Sequence, residues 1–246
     1  MSTLVLLRHG QSLWNRDGRY TGWQDCDLSQ QGETECREAG RLMAEAGLEF
    51  GVVHTSVLTR AIRTANLALQ VMDQLWLPVR RHWRLNERHY GALEGLDKKE
   101  TTATHGAEQV KYWRRSWDHR PPPLALDDKR HPSHDRRYAE LPADVLPAGE
   151  CLADVVTRML PYWYDALIPD LQDGRPVLVA AHGNSLRGLV KHLKGISDED
   201  IPGLEIPTGM PWVFELGPDL HPVSDRLLGD VEDIARRVNE VARQAG

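Results

Sequence analysis

Thr3-Leu4-Val5-Leu6-Leu7-Arg8-His9-Gly10-Gln11-Ser12 decides how this chain is read. Four consecutive apolar residues, Leu4 to Leu7, suit a short strand buried on both faces, as in a parallel sheet. Such a strand ends at the sheet edge where ligands of α/β proteins bind. The residues delivered there are Arg8, His9 and Gly10: an anion binder, an imidazole and a pliable backbone. A second copy lies far downstream, Val177-Leu178-Val179-Ala180-Ala181-His182-Gly183-Asn184-Ser185-Leu186. If both strands run in one parallel sheet, their ends emerge on the same edge and the two imidazoles can face each other. A single His after a strand is more often an ordinary core or loop residue. The repeated His-Gly is what makes His9 and His182 a candidate pair, and with Arg8 beside them they suggest phosphoryl chemistry. The spacing is not that of a metal site, because no second His follows four residues on and no Cys pair is near.

The 246 residues are enough for one large α/β domain or two small ones. With 27% charged and 41% hydrophobic residues and no apolar run of membrane length, the chain reads as soluble. A net charge of -6 argues against a nucleic-acid partner. The arginines around His9 therefore form a local basic patch in an acidic protein, which suits a small polyanion. The amino terminus has no basic n-region and its apolar run is too short for a secretory signal. Cys26, Cys36 and Cys151 are odd in number and widely spaced, which fits a reducing cytoplasm.

From Ser12 to Asp27 the chain is a polar loop with Asn15, Arg16, Arg19 and the Thr21-Gly22 pair, the usual parts of a phosphate cradle and equally of a solvated loop. Ser29 is the predicted N-cap of a helix that ends near Gly47. Phe50 to His54 reads as a second strand, and Ser56 as the cap of a helix from Val57 to Met72 that carries Arg60. Arg63 is either a surface charge or a second anion contact, and the surface is the favoured reading. Pro78 to His82 is a weaker strand, followed by Glu87, a carboxylate among Arg and His that is a candidate proton carrier or else a surface ion pair. Residues 92–150 break the strand–helix alternation. Ala107 to Trp117 is predicted helical, and the Pro-punctuated remainder is either a lid over the site or a disordered excursion. Pro161 is expected to kink or divide the helical region Leu152 to Leu171. A helix from Ser185 to Leu193 follows the second His, and Trp212 to Leu216 is a final strand. Val231 to Gln244 is an amphipathic helix with Val231, Ile234, Val238 and Val241 on one face. The expected architecture is α/β: a mostly parallel central sheet with helices on both faces and a long helical and loop insertion over the site. The domain expectation is a single domain, 1–246, with the insertion at about 92–150 and a tail at about 231–246.

Leu7-Arg8-His9-Gly10-Gln11-Ser12-Leu13-Trp14-Asn15 resembles the signature of the histidine phosphatase superfamily. The resemblance runs from Leu4 to about Asp230, through Tyr20-Thr21-Gly22-Trp23, Thr55 to Thr64, and His182-Gly183-Asn184-Ser185. Glu87-Arg88-His89-Tyr90 and Trp113-Arg114-Arg115 are similar to its cofactor-dependent phosphoglycerate mutase branch. That branch interconverts 3- and 2-phosphoglycerate in glycolysis and gluconeogenesis, primed by 2,3-bisphosphoglycerate. The resemblance implies that His9 is the nucleophile that becomes phosphohistidine, and that Arg8, Arg60 and His182 clamp the transferring phosphoryl. It implies further donors in Asn15, Gly183 and Asn184, and a proton donor and acceptor in Glu87. Ser12, Thr21, Gly22, Tyr90, Lys98, Arg114 and Arg115 match positions that hold the substrate's carboxylate and its non-reacting phosphate. No metal is expected, and the partners implied are small phosphorylated three-carbon acids, with neither nucleic acid nor membrane. Relatives are often dimers or tetramers, so a homo-oligomer is a possible state. Cys151 departs from the Ser that many relatives have there, and the tail, which can cover the site in relatives, is less familiar. Relatives devoted to making 2,3-bisphosphoglycerate tend to lose the Ser and the Thr-Gly pair; Ser12, Thr21 and Gly22 are all present here. The competing readings are a phosphatase of the same superfamily and a catalytically silent binding protein on the same fold.

Overall fold

The computed structural model describes residues 1–245, with side chains to residue 239. In chain order the elements are β1 (Ser2–Arg8), α1 (Leu13–Arg16), α2 (Gln30–Glu45), β2 (Val52–Thr55), α3 (Thr59–Val71) and β3 (Val79–Arg81). The insertion carries α4 (Lys98–His105) and α5 (Ala107–Arg115). There follow α6 (Leu152–Tyr162), α7 (Ile168–Gln172), β4 (Val177–Ala181), α8 (Gly183–Lys194), β5 (Pro211–Leu216), β6 (Pro222–Leu227) and α9 (Val231–Ala245).

The strands form one sheet in the order β3-β2-β4-β1-β5-β6. β3, β2, β4 and β1 run parallel, and β5 and β6 extend the sheet antiparallel. The alternation of β1 shows why its apolar run has no polar break. Leu4 and Leu6 pack with Val177, Val179 and the α6–α8 helices on one face. Val5 and Leu7 pack with Val53, Leu178, Ala180 and residues of α2 and α3 on the other. All four are essentially inaccessible, and burying each contributes about 1.5–3 kcal/mol. β6 has no such pattern. Its middle residues are exposed on an edge strand, so its hydropathy does not mark it as a strand.

Several boundaries differ from those expected. Ser29 does cap α2, its hydroxyl oxygen accepting from Gly32 N. Ser56, however, does not cap α3, which begins at Thr59. Asp25 does so from another loop, accepting from Thr59 N at 2.8 Å and from its hydroxyl at 2.7 Å. Pro161 sits inside α6; the helix divides after it, where a wide turn, Trp163–Leu167, leads into α7. The insertion is ordered, with α4 as an additional helix and a chain of short 3-10 turns. A 3-10 turn, Trp83–Leu85, also separates β3 from Glu87. Of the expected apolar face of α9, Val231 is exposed, Ile234 and Val238 are partly covered, and the Val241 side chain lies outside the described residues.

The loop after β1 is locked against the start of α2. A Cβ at Gly32 would lie 2.0 Å from the Gln11 carbonyl oxygen, and one at Gly10 2.3 Å from the Gly32 carbonyl oxygen. Gly32→Ala should therefore reverse the usual preference of a helix for Ala over Gly, worth about 1 kcal/mol. We expect destabilisation by about 2 kcal/mol in urea titration, from forced displacement of the backbone. A variant as stable as the parent would show that the contact yields freely.

Candidate active site

β1 and β4 pair in register, Leu4 with Val177 through Arg8 with Ala181. One residue further on, His9 N donates to the Ala181 carbonyl at 3.0 Å. His9 and His182 thus leave neighbouring strands side by side, their ring centroids 5.0 Å apart at 63°. Both are buried. His9 Nδ1 lies 2.7 Å from the Gly10 carbonyl oxygen. A carbonyl can only accept, so Nδ1 carries the proton and Nε2 keeps its lone pair. Burial, then the charges of Arg60 and Arg8, hold the His9 pKa well below its ordinary value. His182 is lowered in the same way by burial, Arg60 and His9. The Ser56 hydroxyl lies 2.7 Å from His182 Nε2.

Arg60 is almost fully buried in the first turn of α3. Its two terminal nitrogens donate to the carbonyls of Gly22 at 2.8 Å and Gln24 at 3.1 Å. Arg8 donates to the Ile206 carbonyl at 2.7 Å. Arg8 Nε, Arg60 Nε and His182 Nδ1 are buried with no hydrogen-bond partner among the described residues. Such unmatched nitrogens gathered about one imidazole fit the oxygens of a phosphoryl group.

Glu87 lies in the same cleft. Its Oε1 accepts from Arg88 N at 2.7 Å, Asn184 N at 3.2 Å and Asn184 Nδ2 at 2.8 Å. Asn184 Nδ2 also reaches the Tyr90 hydroxyl at 3.3 Å. The backbone carrying Glu87 is fastened by Arg158, which donates to the carbonyls of Arg84, Asn86 and Glu87 and pairs with Glu150. Gly22 owes its place to a close approach: at φ +54° a Cβ would fall 1.8 Å from Glu94 Oε1. Glu94 is itself buried, and burial pushes its carboxyl up to about 7.

One cleft is lined by Arg8, His9, Asn15, Thr21, Gly22, Arg60, Glu87, Tyr90, Lys98, Arg114, Arg115, Gly183 and Asn184. His182 and Ser12 are not among the residues that line it: His182 packs edge-on against the His9 ring, and Ser12 caps α1. Arg63, as expected, is a surface charge paired with Asp27 and Glu33. Among the described residues no side chain of α9 lines the cleft; Arg237 instead docks that helix on the Thr208 carbonyl. Arg19, read from the sequence only as part of the loop cradle, also lines the cleft, and three further lining residues were not singled out as site residues: Tyr20, Arg187 and Glu205. Arg187 was within reach, since it follows Gly183 by four residues on the same helix face. Glu205 had no such signal.

The cleft is crowded with cations. Burial, followed by the charge of Arg114, pushes Lys98 down to about 8. Burial and Arg115 push Arg187 down to about 10. Burial favours the neutral Tyr90 phenol, yet Arg88 and Arg114 draw it down to about 8. Burial is the larger cause at Lys98 and Arg187; the guanidinium groups that add to it there, and that outweigh it at Tyr90, are charges a polyanion would neutralise.

The profile of the histidine phosphatase superfamily (branch 1) matches residues 4–220, and the chain belongs to that superfamily. Among curated proteins, it is 60% identical over 244 residues to a 2,3-bisphosphoglycerate-dependent phosphoglycerate mutase of Nitratidesulfovibrio vulgaris, covering 99% of this chain and 98% of the relative. It is 63% identical over 222 residues to the Thermobifida fusca protein of the same name, covering 90% of each. Solved structures repeat the fold. A putative α-ribazole-5'-P phosphatase from Escherichia coli superposes with a TM-score of 0.69 at 23% identity, covering 94% of this chain and 98% of that one. A mycobacterial glucosyl-3-phosphoglycerate phosphatase superposes with a TM-score of 0.68 at 24% identity, covering 92% and 97%.

The depressed His9 pKa has a measurable sign. An imidazole with an ordinary pKa near 6.5 is mostly protonated at pH 6; His9 should remain neutral there, with its proton on Nδ1. Nitrogen-15 NMR of labelled imidazoles should show that tautomer persisting as pH falls from 8 to 6. Protonation of His9 with a midpoint at or above 6.5 would contradict the geometry.

Proposed function

We propose that this chain is a 2,3-bisphosphoglycerate-dependent phosphoglycerate mutase, interconverting 3- and 2-phosphoglycerate in glycolysis and gluconeogenesis. The observation that carries this reading is the joining of two anion-binding regions in one cleft with the carboxylate of Glu87. Around His9 lie Arg8 and Arg60. Lys98, Arg114 and Arg115 come from the insertion. A phosphatase needs only the first set and access for water; a mutase must also hold an intermediate while its other phosphate is brought to the nucleophile.

In the proposed mechanism 2,3-bisphosphoglycerate primes the enzyme by transferring one phosphoryl group to His9 Nε2. The incoming 3-phosphoglycerate then attacks that phosphorus through its 2-hydroxyl. The N–P bond breaks, an O–P bond forms, and the hydroxyl proton passes to Glu87. The bisphosphate reorients, His9 takes the 3-phosphoryl group, and Glu87 returns the proton to the departing oxygen. Arg8, Arg60 and His182 balance charge on the equatorial oxygens, a task that magnesium performs in many other phosphoryl-transfer enzymes. Asn15, Gly183 and Asn184 add donors. Thr21, Gly22, Tyr90, Lys98, Arg114 and Arg115 hold the carboxylate and the second phosphate, and Ser12 shapes the loop as the cap of α1.

We further propose a single domain in which the 92–150 insertion covers the cleft, supported by Arg88 donating to the Arg114 carbonyl at 2.6 Å. A cytoplasmic location is inferred from the three free cysteines. Among the described residues no helix is long and apolar enough to cross a membrane. Assembly into a dimer or tetramer is proposed on family resemblance alone.

Phosphorus NMR of the enzyme with 3-phosphoglycerate should show 2-phosphoglycerate growing only when a trace of 2,3-bisphosphoglycerate is present. Release of inorganic phosphate in its place would move the protein to the phosphatases. In the same assay Arg60→Lys should lose about a hundredfold in kcat/KM. A point charge cannot span both carbonyls that the guanidinium fork holds. Kinetics close to the parent would remove Arg60 from the clamp.

A further inference from the structure

Arg115, matched to the substrate-holding set, already has an anionic partner. Its Nη2 lies 2.5 Å from Glu205 Oε1, and both side chains are mostly buried. Glu205 Oε2 lies 3.6 Å from Arg187 Nη2 and makes no hydrogen bond. The residues on either side of Glu205 bind arginines through their backbones. The Leu204 carbonyl accepts from Arg187 Nε at 2.9 Å, and the Ile206 carbonyl accepts from Arg8 Nη1 at 2.7 Å. Three consecutive residues therefore hold three arginines delivered by β1, α5 and α8.

Glu205 is held differently from Glu87. Both act on the charge of Arg8, but one oxygen of Glu87 is occupied by three N–H donors, none of them cationic, whereas the ion-pair partners of Glu205 among the described residues are the guanidinium groups of Arg115 and Arg187, beside which it lines the cleft. In a cleft made of cations it takes up part of the capacity that an anionic substrate would use. We propose that Glu205 is an exchangeable internal counter-anion that sets how tightly the cleft grips the substrate's non-reacting anion. When phosphate or carboxylate leaves Arg115 and Arg187, Glu205 takes them back; when it binds, Glu205 competes.

The inference rests on the mutase reading and deepens it. An intermediate that must turn within the site has to be released by both anion grips in each cycle. Binding energy spent equally on every state lowers KM without accelerating that step. A carboxylate that replaces the departing anion lowers the cost of letting go and leaves no guanidinium unpaired.

Glu205→Gln tests the charge, because the amide oxygen can still accept from Arg115. Removing one negative charge a few ångströms from the bound anion should tighten inorganic phosphate binding about three- to tenfold by calorimetry. KM for 3-phosphoglycerate should fall by a similar factor and kcat should fall with it, so that kcat/KM changes little. Glu205→Asp, which keeps the charge, should bind phosphate within about twofold of the parent. Phosphate affinity unchanged or weakened in Glu205→Gln, or tightened equally in Glu205→Asp, would overturn the proposal. A parent enzyme that makes no 2-phosphoglycerate would instead overturn the mutase reading, and the phosphate affinities would still decide the role of Glu205.

Discussion

The pairing of β1 with β4 is the constraint on which everything else in the site depends. Neighbouring strands lie about 4.8 Å apart, and the register sets Arg8 opposite Ala181, so the next residues, His9 and His182, must emerge together. Slipping the register by one residue would invert which side chains face each helical layer. Leu4 and Leu6 belong to one core cluster and Val5 and Leu7 to the other, so the cost of a slip would fall on both faces at once. The placement of the two imidazoles is thus secured by burial of apolar groups that never approach the substrate.

The same burial prepares the chemistry. Desolvation and two nearby guanidinium groups keep His9 neutral, and the Gly10 carbonyl fixes which nitrogen is free. The cations that suppress protonation of the nucleophile are also suited to receive the phosphoryl oxygens. Holding them close without an anion is costly, and the protein meets part of that cost with backbone carbonyls at Gly22, Gln24 and Ile206. Carbonyl dipoles steady a guanidinium without cancelling its charge, which leaves the field available for substrate.

How far the sequence could be read followed the kind of signal. The two strands that end in His-Gly are continuous apolar runs, and their pairing followed from sheet logic before any resemblance was invoked. The α/β class, and the place of Arg63 on the surface, could be read in the same way. The edge strand β6 could not, because an exposed edge needs no apolar pattern. Ser56 illustrates a different failure. As the Ser before a helical stretch it fits a cap, yet Asp25 from a distant loop takes the Thr59 N–H, while the Ser56 hydroxyl accepts from Leu58 N and meets His182. Glu205 was illegible for a related reason: an acid in an anion-binding cleft contradicts local charge logic, and only the fold shows which arginines it meets. The insertion had no periodicity strong enough to choose between lid and disorder. Its contribution to the cleft depends on side-chain ties such as Arg88 to the Arg114 carbonyl, which join distant segments.

The central claim, that His9 carries the phosphoryl group between substrates, is tested most directly by locating the covalent phosphate. The enzyme is incubated briefly with radiolabelled 2,3-bisphosphoglycerate, digested under alkaline conditions and mapped by mass spectrometry. The account predicts an acid-labile label on the peptide containing His9, discharged by added 3-phosphoglycerate into bisphosphoglycerate. A label on another residue, or a stable enzyme that turns over without any covalent phosphate, would contradict it.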